Sequence, residues 1–180
     1  MLSLTIPSME YFDEKTNTFL TIPGGTIRLE HSLVAISKWE AKWKKPFLGK
    51  DDKTKEEILD YIKCMTITQN VNPNIYNNLT DENIKTISAY IDDPMTATWF
   101  SEKQPAGGNG EIVTSELIYY WMIAQQIPIE FQKWHLNRLL TLIRVCSIKN
   151  TPAKKMSKRD VYARNASLNA ARRKALHSKG

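Results

Sequence analysis

Glu30-His31-Ser32-Leu33-Val34-Ala35-Ile36-Ser37-Lys38-Trp39-Glu40-Ala41-Lys42-Trp43 is where the hydrophobic period of this chain changes. Before it, Leu2, Leu4 and Ile6 alternate with small polar residues, the two-residue period of a half-buried strand. From Ser32 onward Leu33, Ile36, Trp39 or Glu40, and Trp43 fall on one helical face, and Ser32 is placed as the N-cap. The switch predicts an α+β protein, predominantly helical, with a small antiparallel sheet at its N-terminus.

On the N-terminal side, Thr18-Phe19-Leu20-Thr21-Ile22 and Thr26-Ile27-Arg28-Leu29 are also rich in β-formers. Asp13-Glu14-Lys15-Thr16-Asn17 reads as a polar turn and Pro23-Gly24-Gly25 as a second one. A hairpin or a three-stranded sheet over residues 1–31 is expected.

On the C-terminal side, Pro46 and Gly49 end the first helix. Thr54 and Glu57 have the spacing of a capping box, in which each side chain satisfies an orphan amide of the first turn. Ile58, Tyr61, Ile62 and Met65 follow as an apolar face. Thr80-Asp81-Glu82 opens a third helix that Pro94 stops, and Thr114 or Ser115 caps a fourth. Between them, residues 101–110 hold Pro105 and three glycines and read as an exposed loop. Pro128 suits the first position of a fifth helix over about 129–149. Its apolar residues, from Ile129 and Phe131 through Trp134 to Cys146, cover most of its circumference, which places it in the core or in an interface. These five helices make a body over residues 32–149. Residues 150–180 form an arm: Pro152 marks a hinge, and Ser157 and Asp160 cap a last helix over about 158–176 with a thin apolar stripe.

The chain has 180 residues and is 42% hydrophobic with five Trp and seven Tyr, enough for a core and against intrinsic disorder of the body. No apolar run reaches the length of a membrane span, and the first residues lack the cationic start of a secretory signal, so no membrane partner is expected. Without export, Asn78-Leu79-Thr80 and Asn165-Ala166-Ser167 carry no meaning as glycosylation sequons. Cys64 and Cys146 lie within apolar runs and read as small buried hydrophobes of a reducing cytosol.

Charge is distributed unevenly. Residues 149–180 hold ten Lys or Arg and one acid, Asp160, a net +9. The whole chain is +6, so residues 1–148 are −3. Such an arm needs an anionic partner. Lys154, Lys155, Lys158, Arg159, Arg164, Arg172, Arg173 and Lys174 are its candidate docking residues, with Trp134, Asn137, Arg138 and Arg144 as interface candidates on the fifth helix. The expected partner is an acidic protein surface, on the same chain, another copy of it or another protein. The alternative is a nucleic acid bound without sequence preference through its phosphates, although Tyr162 is the arm's only aromatic for stacking on bases.

Chemistry has little support in the residue pattern. His31, His135 and His177 are far apart, with no metal-type spacing to Cys, Asp or another His. His135, in the most apolar stretch, reads as a core or interface histidine. Asp51-Asp52 and Asp92-Asp93 sit beside helix ends as solvated or capping carboxylates. Gly107-Gly108-Asn109-Gly110 lacks the Lys-Ser/Thr of a phosphate-binding loop, and Cys146 has no context that would activate it. No catalytic residue, metal or cofactor is expected, and the protein reads as a non-enzyme.

Several blocks together carry a resemblance. They are Glu30 to Trp43 with Pro46-Phe47-Leu48, Asp60-Tyr61-Ile62-Lys63-Cys64-Met65-Thr66, Met95-Thr96-Ala97-Thr98-Trp99-Phe100, Glu116 to Cys146 around Trp134-His135-Leu136-Asn137-Arg138-Leu139-Leu140, and Lys154-Lys155-Met156-Ser157-Lys158-Arg159 with Leu168-Asn169-Ala170-Ala171-Arg172-Arg173. The arrangement resembles small tail-morphogenesis proteins of tailed bacteriophages, the tail assembly chaperones or minor structural proteins. The resemblance implies a non-enzymatic role, docking on tail or virion proteins in the host cytoplasm during assembly or within the virion.

Overall fold

The computed structural model describes residues 1–14, 17–100, 112–151 and 157–177. The expected loop at 101–110, the hinge at Pro152, and Lys154 and Lys155 lie outside them. The chain divides into two compact units, Met1–Ser147 and Ile148–Gly180.

The first unit is α+β, as the change of period requires. Four strands come first: β1 (Leu2–Ile6), β2 (Met9–Asp13), β3 (Thr18–Ile22) and β4 (Gly25–Leu29). Helices α1 (Leu33–Trp43), α2 (Lys55–Met65), α3 (Asp81–Asp92), α4 (Ser115–Ala124) and α5 (Leu136–Asn150) follow, with 3-10 turns at Pro73–Asn78 and Ile129–Lys133. In the second unit α6 spans Lys158–Leu176. The caps read from the sequence are formed. Ser32 Oγ accepts from Ala35 N, Thr54 and Glu57 close their capping box, and Thr80, Thr114 and Ser157 cap α3, α4 and α6.

The strands correct one expectation. Pro23-Gly24-Gly25 is not a reversing turn. β1 pairs with β4 and β2 with β3, both antiparallel, and the two ladders share one register: Ile6 faces Gly25 and Met9 faces Ile22. The chain therefore makes one long two-stranded ribbon that turns once, between β2 and β3. Pro7 and Pro23 interrupt the ladder because neither has an N–H to donate. Here the backbones approach so closely that a side chain on Gly24 would come within 2.4 Å of the Ile6 carbonyl oxygen. Asn78, fully buried, repairs the gap: its Nδ2 donates to the carbonyls of Pro7 at 3.0 Å and Ile22 at 3.1 Å. That burial leaves the Asn78 sequon inaccessible.

Beyond the break, the halves of the ribbon differ. β4 gains a second neighbour, since Glu30 N donates to Met65 O and Ile67 N to Arg28 O, each at 2.9 Å. Leu4, Ile6, Ile27 and Leu29 face inward, into a core built with Leu33, Ile36 and Trp39 of α1, Ile62 and Met65 of α2, Ile118 and Met122 of α4, and Leu136 and Leu139 of α5. Two buried polar groups knit the helices together. Trp39 Nε1 donates to Glu57 O at 2.8 Å. Glu40 accepts from Phe47 N at 2.7 Å and from Ser115 N at 2.8 Å, which sets a carboxylate at the positive end of α4.

The expected fifth helix over 129–149 is also corrected. It is a 3-10 turn, a break at Trp134-His135, and α5. Trp134 is extended, with φ −71° and ψ 161°. His135 forms a β-bridge with Ser32, and Leu136 N donates to His31 O at 2.7 Å. An orphan amide of the helix start thus finds its acceptor on the segment leaving the sheet, and that bond fixes where α5 begins. Only Leu136, Leu139 and Ile143 of α5 are fully buried. The all-round apolar pattern therefore gives one deep face with half-buried flanks. Cys64 and Cys146 are free and half-buried, less enclosed than expected.

Candidate functional site

The described residues include a buried pair of histidines and, on the outer half of the ribbon, a pair of exposed aromatic side chains. The histidines come from the segment after β4 and from the break before α5, positions 104 apart in the chain that the bridge at Ser32 brings together. Their rings lie 5.1 Å apart between centroids. His31 Nδ1 shares a hydrogen bond with the Tyr61 hydroxyl. His135 Nε2 donates to the Tyr90 carbonyl at 3.0 Å. His135 Nδ1 is buried without a hydrogen-bond partner among the described residues. The Tyr90 hydroxyl donates to Glu30 Oε1 at 2.7 Å, and the Met1 ammonium stands 3.0 Å from Glu30 Oε2.

Burial, with the neighbouring His135 as a smaller cause, lowers the pKa of His31 from 6.5 to about 4. Burial likewise pushes the Tyr61 hydroxyl well above its ordinary range. His31 is held neutral at physiological pH. No group of three or more His, Cys, Asp or Glu able to hold a metal occurs among the described residues.

The outer ribbon is the opposite environment. Phe12 and Phe19 face each other across β2 and β3 with ring centroids 5.2 Å apart. They are 51% and 73% exposed, and Leu20, opposite Tyr11 on the other face, is 56% exposed. The Tyr11 hydroxyl, on the other face, reaches Asn77 O at 3.0 Å and Asn78 Oδ1 at 3.1 Å, anchoring the ribbon on the 3-10 turn. The sequence contains a trace of this surface. Tyr11-Phe12 and Phe19-Leu20 place large apolar residues on both faces of the ribbon, so neither face is polar.

The interface candidates near α5 have other occupations. Trp134 stacks on Phe131 with centroids 4.0 Å apart and planes 16° from parallel, and the Arg138 guanidinium lies 4.1 Å over the Trp134 ring. Arg144 lies 3.9 Å over Phe100. Asn137 Nδ2 donates to Ile91 O and Asp93 O, both at 2.9 Å, closing the end of α3. Asn137 thus holds the fold, while the two arginine stacks stand at the surface.

On α6, Lys158, Arg159, Arg164, Arg172, Arg173 and Lys174 are all exposed, as is every residue of that helix. At about 100° per residue the cations spread around the whole circumference. One stripe is mixed: Lys158, Val161, Leu168, Arg172 and Leu176 share it. The described helices include none long and apolar enough to cross a membrane. Compared with protein-family models, curated proteins and solved structures, the chain has no match in any of the three.

Proposed function

We propose that the protein is a non-enzymatic docking subunit of a phage tail, a tail assembly chaperone-like or minor structural protein. The observation that carries this reading is the outer ribbon, whose outward face holds the Phe12–Phe19 aromatic pair in solvent. Contiguous exposed apolar surface of this kind is costly in water and is characteristic of protein-binding sites. The block resemblance to tail-morphogenesis proteins supports the same reading, and the basic arm suits acidic protein partners.

Phe12→Ser with Phe19→Ser, introduced into the phage genome, is expected to leave capsids intact and tails missing or misshapen in electron micrographs. Normal tails at normal titre would sink the proposal. Mass spectrometry of purified virions then separates the two roles, since a structural subunit remains in the particle and a chaperone does not.

The second reading, sequence-blind nucleic-acid binding, draws on the cations spread around α6. It expects affinity that falls steeply with salt. A chain ending at residue 148 that bound DNA as well as the full chain would end it.

A further inference from the structure

We propose that the outer face of the β2–β3 ribbon receives α6 of a second copy of this chain. The proposal goes beyond the tail-assembly reading and survives its failure, because self-association requires no tail protein. Two observations carry it. Both surfaces are open: Phe12 and Phe19 on the ribbon, and Val161, Leu168 and Leu176 on the helix, with exposures from 40% to 75%. Their charges are also opposite. Residues 9–22 hold Glu10, Asp13 and Glu14 against Lys15, a net −2, whereas residues 157–177 hold six cations against Asp160, a net +5.

The apolar and charged groups are arranged to meet together. Glu10 and Phe12 share the outward face of β2, with Thr21 and Phe19 opposite them on β3. On α6 the apolar residues and two cations, Lys158 and Arg172, share one stripe. At 1.5 Å per residue α6 is about 28 Å long. A five-residue strand spans about 17 Å, so the helix covers the ribbon from end to end. The contact is heterologous: a copy that gives its helix keeps its own ribbon open. It therefore repeats along a row or closes as a ring.

Light scattering on the nuclease-treated full-length chain, run as a concentration series, tests this. The mass of the natural chain is expected to rise with concentration and to fall to that of the monomer in about 0.5 M salt, where screening is short-ranged. A ribbon variant, Phe12→Ser with Phe19→Ser, and a helix variant, Lys158→Glu with Arg172→Glu, should each be monomeric alone. Circular dichroism checks that both remain folded. Mixed in equal amounts, they should form a dimer and nothing larger, since one intact ribbon meets one intact helix. A natural chain that stays monomeric, a mixture that stays monomeric, or association that survives either variant would overturn the proposal.

Discussion

β1 and β4 bury Leu4, Ile6, Ile27 and Leu29, whereas β2 and β3, paired in the same register, leave Phe12, Phe19 and Leu20 in solvent. Pairing does not explain the contrast, since the ladder hydrogen bonds are alike. Coverage does. The residues after α2 take the outer edge of β4, and helices pack on its inner face. The outer half is anchored on the 3-10 turn, through Tyr11 and Asn78. A ribbon of two strands is marginal in water without a partner for its apolar face. The inner half has found that partner inside the chain, and the outer half leaves Phe12 and Phe19 exposed.

The largest way to break the comparison is a pair of matched deletions. Leu29→Ala in the inner half should cost about 3–4 kcal/mol, because the cavity opens in a packed core. Leu20→Ala in the outer half should stay within about 0.5 kcal/mol, as expected of an exposed site. Urea unfolding of both variants reads the difference, and equal losses would remove the distinction between the halves.

Acid attacks the inner half through His31. His31 titrates near 4 when folded and near 6.5 when unfolded, so the unfolded chain takes up the proton first. The stability contribution is complete above about pH 6.5, is lost as pH falls, and levels off below about pH 4. By pH 4 the loss is about 3 kcal/mol. Urea midpoints across that range should fall accordingly, and His31→Gln should flatten the curve.

Asn78→Ala tests the joint between the halves. It strands the carbonyls of Pro7 and Ile22 in a buried place and should cost about 2 kcal/mol. The outer ribbon should also loosen, visible as faster exchange of its amides relative to those of β1 and β4.

Local signals in the sequence were enough for helices α1 to α4 and α6 and their caps. The Ser32, Thr54, Thr80, Thr114 and Ser157 caps depend on neighbours three residues away, and all five formed. The ribbon was only half legible. Its strands follow from alternation, but whether Pro23-Gly24-Gly25 reverses the chain depends on a partner strand some 17 residues earlier. The break at Trp134-His135 was hidden for the same reason. Its cause is the carbonyl of His31, 105 residues before the Leu136 amide it accepts from. The basic character of α6 is plain from composition, whereas the Phe12–Phe19 surface is not, because exposure is a property of what fails to cover a residue. Asn137 looked available on an apolar helix and is committed to the end of α3.

Amide hydrogen exchange of the full chain at low and high concentration tests the central claim most directly. In dilute protein β1 and β4 should exchange slowly and β2 and β3 fast. Raising the concentration should slow β2, β3 and α6 together and leave β1 and β4 unchanged. Contradiction would come from a β2–β3 ribbon as protected as β1–β4 in dilute protein, or from one whose exchange ignores concentration.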